Sequence, residues 1–370
     1  MSTEILAVVA VIVAAMVFDF TNGFHDAANA IATSVSTRAL TPGVALLVAA
    51  IGNFIGTHFG ANVAKTVGEG LVVLPKGLPS LGVVFAGVLG AIGWNLLTWY
   101  FGLPSSSSHA LFGGLVGATL FANDGQVRWG NIWQKVIVPM IGSPIVGFVL
   151  GALVMFGLLW AIKGLTVFGQ PAAVLDREDG GEEPAEPAVP VSRLRQRVHA
   201  FVQPRALTRF FRHAQTVSAA AMAIGHGMQD AAKTMGIIVL ALYVGGLQSS
   251  PDHIPWWVYY TSAAVLAAGT YAGGWRIIRT LGRRIIHLGP PEGFAAETVA
   301  SSVLYVTAAY GAPISTTQTI TSAIMGVGAT KKVSAVRWGV AGNIVTAWVL
   351  TFPGAGIIAC LAWLAVSVLF

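Results

Sequence analysis

Charge is the scarcest property of this chain. It has 21 basic and 15 acidic side chains in 370 residues, a charged fraction of 10%, where soluble domains carry roughly 25%. That shortfall excludes an ordinary soluble globular protein, a disordered chain and a coiled coil. Cysteine is nearly absent, and the single Cys360 permits neither a disulfide within the chain nor a thiolate metal site. No His-Glu-x-x-His, Walker loop or Gly-x-Ser-x-Gly occurs. No basic stretch is interleaved with aromatics, so the net charge of +6 argues for membrane-flanking Lys and Arg and against a nucleic-acid partner.

What is present is apolar: 55% hydrophobic residues, 44 glycines and a mean hydropathy of +0.73. This is the composition of an all-α integral membrane protein, whose partner is the lipid bilayer and whose small residues let helices approach closely. A spanning helix needs about 20 apolar residues. Candidate spans lie at 5–20, 43–64, 81–101, 131–163, 214–247, 256–275, 294–310 and 336–368. Two shorter apolar pieces, 105–122 and 314–328, either cross or re-enter as hairpins. The runs 131–163 and 336–368 carry breakers at Pro139, Pro144 and Pro353-Gly354, which can divide each into two, giving about 10–12 membrane segments. The first run has no basic start or small-residue cleavage site and leads into Asp19 and Asp26, so it reads as a membrane helix, not a cleaved leader.

An internal duplication organises the chain. Gly23-Phe-His-Asp26-Ala-Ala-Asn29 matches Gly227-Met-Gln-Asp230-Ala-Ala-Lys233 at an offset of 204. Gly102-Leu-Pro104-Ser-Ser-Ser-Ser108 matches Gly311-Ala-Pro313-Ile-Ser-Thr-Thr317 at 209, and at that offset Val127-Arg-Trp-Gly130 recurs as Val336-Arg-Trp-Gly339. The expected division is a first transmembrane repeat, 1–165, a soluble linker, 166–206, and a second repeat, 207–370. Seven arginines and six acids fall between Pro171 and Arg212, and Arg193 to Arg212 holds six arginines and no acid. Excess basic charge places such a segment in the cytoplasm. Five crossings per half would make the halves inverted and put both termini outside, at the cost of an external Lys65, Lys76, Arg128 and Lys135.

Asp26 and Asp230 stand in apolar runs at matched positions, where a charge costs about 2.5–3.5 kcal/mol on insertion scales. Inverted halves would bring them together near the midplane; the plainer alternative is that each caps a half-helix. Asn29 shares a helix face with Asp26, and its counterpart Lys233 sets a cation beside Asp230, as an ion pair or as a ligand. Each Gly-x-Pro motif is expected to open a helix, with Pro in its first turn and hydroxyls behind it. Two such N-termini would form an anion cradle; simple capping is the alternative. His25, His109 and His226 lie in or beside these motifs, more as hydrogen-bonded core residues than as proton carriers. Glu297 reads equally as a helix-start acid or part of a cation path, and Asp19 lacks a counterpart in the second half.

Gly23-Phe-His-Asp-Ala-Ala-Asn-Ala-Ile-Ala-Thr-Ser34 and His226-Gly-Met-Gln-Asp-Ala-Ala-Lys-Thr-Met-Gly236 resemble the paired signatures of the PiT family of inorganic phosphate transporters, short bacterial type. Pro104 to Leu111 and Pro313 to Gly326 resemble that family's hydroxyl-rich hairpins. The resemblance implies a secondary transporter of two inverted repeats with broken helices, in the inner (plasma) membrane, moving inorganic phosphate with H⁺ or Na⁺ by alternating access. It implies no cofactor and no enzymatic activity; a homodimer is a candidate assembly. The family's sites map onto Asp26 and Asn29, Ser105, Ser106, Ser107 and Ser108, Asp230, and Ser315, Thr316 and Thr317. Where the family usually has Asn before its second acid and His in its second hairpin, this chain has Gln229 and Gln318.

A phosphate dianion cannot sit directly on two ionised carboxylates. The expected division therefore gives phosphate to the hydroxyls and Lys233, and the coupling cation to Asp26, Asn29, Gln229 and Asp230. Asp26, Asn29 and Asp230 would be metal ligands only if Na⁺ is used. Lys233 supplies a fixed cation, so H⁺ coupling is favoured. Another oxyanion such as sulfate is the near alternative. A membrane-embedded hydrolase built on Ser108 and His109 is the distant one, since neighbours on a helix point about 100° apart.

Overall fold

The computed structural model describes residues 2–122, 125–169, 198 and 203–367. Most of the expected linker, 166–206, lies outside the described residues, and its two ends belong to helices that run to Gly169 and from Pro204. Helix α1 (Thr3–Ser36) begins where Ser2 caps the Ile5 N–H at 3.4 Å and ends at Thr37, before Arg38 at φ 59°. Its 34 residues reach about 51 Å, well beyond the ~30 Å hydrocarbon. Helices α2 (Pro42–Thr57) and α3 (Ala61–Gly70) follow, bent by 68° at a short break. Helices α4 (Leu78–Phe101) and α5 (Ser107–Phe121) form a hairpin. Helix α6 (Trp129–Ile132) continues through a π turn (Trp133–Ile137) into α7 (Val138–Gly169). Next come α8 (Pro204–Val244), α9 (Trp256–Ala272), α10 (Trp275–Arg279), the hairpin α11 (Pro290–Ala309) and α12 (Thr316–Lys331), and α13 (Trp338–Val366). Among the described residues β structure is one antiparallel pair, β1 (Val72–Val73) with β2 (Gln126–Val127).

Among the described residues, four helical stretches are long and apolar enough to span a bilayer, α1, α4, α6–α7 and α13, and the bent α2–α3 pair makes a fifth. Helices α8 and α11 carry buried charged residues, and α5, α9 and α12 have only 15, 17 and 16 residues. Together these make ten bundle elements among the described residues. The usual inside-out order is inverted. Phe156, Val349 and Leu361 are more than 60% exposed, while Asp19, Asp230 and Glu297 are wholly buried. The chain is an all-α membrane protein whose polar side chains face its centre.

The expected breaks at Pro144 and Pro353 do not divide their runs. Each proline sits inside one continuous helix, α7 or α13. A proline removes one helical N–H and crowds the carbonyl four residues back. Packing holds both helices through the defect. Gly147, Phe148 and Gly151 of α7 press on α12, and Phe352 and Gly356 of α13 press on Gly113 and Gly117 of α5.

Elements related by the duplication pack in matched pairs. Helix α1 lies on α9 as α8 lies on α2, and α5 lies on α13 as α12 lies on α7. The two halves of the sequence therefore interleave. The signature glycines permit this at closest range. A Cβ on Gly23 would stand 2.6 Å from the Leu266 carbonyl oxygen, and one on Gly227 would stand 2.3 Å from that of Asn53. Both glycines precede a signature acid by three residues, so they seat the acids against the opposite half.

Candidate functional site

Helices α1 and α8 run antiparallel through the centre. Thr37 donates to Gln215 at one end, Asp26 meets Asp230 midway, and Val8 lies against Gly245 at the other end. Two hairpin turns close on this crossing. Gly102 and Gly311 end α4 and α11 in the left-handed conformation, at φ 66° and 65°. Pro104 and Pro313 then lie in extended segments ahead of the N-caps Ser106 and Ser315. This corrects the expectation of a first-turn proline: the glycine terminates one helix and the proline belongs to the turn, as is common just past a helix C-terminus. Ser106 accepts from the His109 N–H and Ser315 from the Gln318 N–H, both at 3.2 Å. Thus each hairpin presents a capped helix N-terminus to the acid pair.

Asp26 is held from three directions. His25 Nδ1 approaches its Oδ1 at 2.5 Å, Ser107 donates to Oδ2 at 2.8 Å, and Thr317 donates to Oδ1 at 3.4 Å. Behind it, His25 Nε2 lies 3.1 Å from Thr98 and 3.3 Å from Ser105. Asn29 donates from Nδ2 to Thr316 and Thr317 at 3.2 and 2.9 Å, leaving its buried Oδ1 without a partner. A neutral oxygen on the helix face of a carboxylate is one kind of ligand that a hard monovalent cation takes.

Asp230 has a different neighbourhood. Lys233 Nζ donates to its Oδ1 at 2.6 Å and to the Ile314 carbonyl at 3.1 Å, and Thr316 donates to its Oδ2 at 3.3 Å. His226 Nε2 lies 3.0 Å from Oδ2 without hydrogen-bond geometry. The imidazole's orientation follows from its far side. Thr270 donates to the Leu266 carbonyl and accepts from Asn53 Nδ2 at 2.7 Å, so Asn53 Oδ1 accepts from His226 Nδ1 at 2.9 Å. Nε2 of a neutral His226 then turns a lone pair toward a carboxylate. That contact is favourable only with a proton or a cation between them. Asp26, His226 and Asp230 offer ligand atoms within 4.8 Å of one another, a set that fits one small cation.

The sequence-derived candidates divide by position. Asp26, Asn29, Ser107, Asp230, Lys233, Thr316 and Thr317 form one bonded cluster. Ser105 backs it through His25, and Ser108 donates to the Ile314 carbonyl at 3.3 Å, tying the two hairpin turns together. Gln229 stands aside. It donates to Thr307 and to the Leu304 and Ala312 carbonyls and accepts from the Ile314 N–H, so it shapes the second turn. His109 Nδ1 lies 3.5 Å from Gln318 Nε2. Glu297 lies at the Thr37–Gln215 end of the crossing, bonded by Thr33, Gln215 and Ser218. Asn53 and Thr98 join the site unforeseen. An amide in the middle of the run 43–64, which also holds Asn62 near its end, was the available signal for Asn53; nothing local distinguishes Thr98.

The model of the phosphate transporter family matches residues 22–359. The chain belongs to that family. It is 43% identical over 360 residues to a probable low-affinity inorganic phosphate transporter of Rhizobium meliloti (strain 1021), covering 96% of each chain. A Bacillus subtilis (strain 168) protein of the same name is 36% identical over 373 residues, covering all of both. Among solved structures, a sodium-dependent phosphate transporter matches with a TM-score of 0.81 at 22% identity, over 99% of this chain and 100% of that one. This last likeness is one of fold. The transporter family accounts for the membrane helices, and its substrate is phosphate.

Proposed function

We propose that the chain is a cation-coupled phosphate symporter of the inner membrane, working by alternating access, with protons favoured over Na⁺. One observation carries this reading: two acids and two capped helix N-termini converge at a site where the side chains of Asp26, Asn29, Ser107, Asp230, Lys233, Thr316 and Thr317 are each at most 2% exposed. Helix N-termini carry about half a positive charge and bind phosphate oxygens. In the present state Ser107, Thr316 and Thr317 donate to the carboxylates. Loading the acids with a cation would release those hydroxyls for phosphate and remove the repulsion that excludes it. Asp26 with Asn29 would hold a cation in one half; Lys233 takes that place in the other. Gln229 contributes by fixing the turn.

The antiparallel crossing of α1 and α8 and the matched packing support two inverted repeats, 1–165 and 207–370. In this reading the linker is cytoplasmic, both termini are outside, and the homodimer is a candidate assembly. A buried site must open to each side in turn, and in this reading the two hairpins that close on it are the elements that move. The hydrolase alternative is disfavoured, because Ser108 and His109 engage Ile314 and Gln318 and not each other. Transport of another oxyanion is the remaining second reading, since a cradle of hydroxyls and N–H groups also suits sulfate. The test is uptake of labelled phosphate into proteoliposomes under an imposed cation gradient, with sulfate as competitor. Phosphate uptake unaffected by excess sulfate is expected; sulfate uptake exceeding phosphate uptake would transfer the assignment.

A further inference from the structure

Polar side chains line one face of α1 at steps of three and four residues: Asp19, Asn22, Asp26, Asn29 and Thr33, all buried. The last three belong to the site and to the Glu297 cluster. The first two do not. Both Asp19 oxygens and both polar atoms of Asn22 lack hydrogen-bond partners, as do Asn95 and the Thr234 hydroxyl. These four residues belong together. The Thr234 hydroxyl faces the Asp19 carboxylate. Helices α1 and α4 run parallel in a fixed register, with Val8 and Leu81 both at Gly245 and His25 bonded to Thr98, which sets Asn95 level with Asn22. The antiparallel register of α1 and α8 likewise sets Thr234 beside Asp19 and Asn22.

We infer that Asp19, Asn22, Asn95 and Thr234 form a further cation site, taking one monovalent coupling cation, a proton or Na⁺, on the Asp19 carboxylate. The inference rests on the symport reading. Asp19 lies two helical turns, about 10 Å, from Asp26 on the same face. A cation there would lie on the path between the central site and the α1 N-terminal side. The donor set is one carboxylate, two amide oxygens and a hydroxyl: hard oxygens with a single formal charge, suited to a monovalent ion. A proton would occupy Asp19 alone and turn it into a donor to the amides. Helices α4 and α9, which pack on α1, contribute no charged residue, and α8 contributes His226, Asp230 and Lys233. Asp230 is a like charge within electrostatic range of Asp19, and a bound cation would offset it. The duplication argues against a scaffold role. The corresponding positions in the second half are Ala223, His226 and Leu304, and that of Thr234 in the first is Ala30. The fold is built without this set in one half, so the other half keeps it for something else.

The test uses the full chain reconstituted in liposomes, with cations moved per phosphate read from reversal potentials. Wild-type uptake indifferent to both pH and Na⁺ gradients would defeat the symport reading itself. With coupling present, Asp19→Asn is expected to lower the stoichiometry by one cation, or to leave phosphate exchange without net uptake, while inorganic phosphate still raises the melting temperature in detergent. Loss of the pH-gradient response identifies a proton; loss of the Na⁺ response identifies sodium. Unchanged stoichiometry, or loss of phosphate stabilisation together with uptake, would overturn the site. Should Asp19→Asn fail to fold, Asn95→Ala is expected to raise the half-maximal concentration of the coupling cation about tenfold, and an unchanged value would overturn it.

Discussion

The two halves build the same scaffold around different chemistry. In the first, Asp26 is paired with a histidine and two hydroxyls, and Asn29 reaches across to the opposite hairpin. In the second, Asp230 is paired with an ammonium from its own helix, which also holds its own hairpin turn. The hydroxyl contacts are matched: Ser107 serves Asp26 as Thr316 serves Asp230. The duplication thus preserves the acid and its hydroxyl, and the residue three positions on differs. One half keeps an unpartnered oxygen at Asn29; the other sets the Lys233 side chain directly on its acid. A shared scaffold thus surrounds its two acids with different partners.

The largest expected effects come from the shared parts. Asp26→Asn and Asp230→Asn should each abolish phosphate uptake with membrane insertion intact, since removing a buried charge eases insertion. Near-normal uptake in either variant would make that acid structural only. Gly227→Leu should prevent folding or cost at least about 1–3 kcal/mol, because even its Cβ would meet the Asn53 carbonyl oxygen at 2.3 Å. Gly142→Leu, with nothing within 4 Å of the added Cβ, is the control; melting temperatures in detergent compare the two.

The comparison sharpens with smaller changes. Ser107→Ala and Thr316→Ala should weaken phosphate affinity by up to about tenfold, the worth of one buried hydrogen bond, and disturb coupling-ion affinity less. Equal responses from both would support the matched hydroxyl roles; no response from either would end the anion-cradle assignment. Lys233→Asn should lower uptake at low Na⁺ and recover it at high Na⁺ if the ammonium stands in for an ion. The smallest effect should come from deleting 172–190. That stretch is too polar and proline-rich to pack in a membrane, so melting temperature and uptake should be retained.

The acids and hydroxyls were legible in the sequence because polar residues in apolar runs are costly and because a duplication marks them twice. The glycines before each acid were visible too, although their purpose, contact with Leu266 and Asn53, needed the fold. Helix continuity through Pro144 and Pro353 was not legible, because contacts with α12 and α5 decide it. Nor were Asn53 and Thr98, whose partners His226 and His25 lie 173 and 73 residues away. Gln229 shows the opposite error. Its place in the signature suggested the cation site, but its side chain turns toward the hairpin. Local pattern identifies a residue's helix face; only the packing of other elements shows what it meets there.

The central claim is that Lys233 substitutes for a metal cation, so that protons drive this transporter. It is tested most directly by phosphate uptake into proteoliposomes at clamped membrane potential, with Na⁺ replaced by choline and a pH gradient imposed. The account predicts that uptake persists in choline and follows the pH gradient. Uptake that fails without Na⁺ and ignores the pH gradient would contradict it.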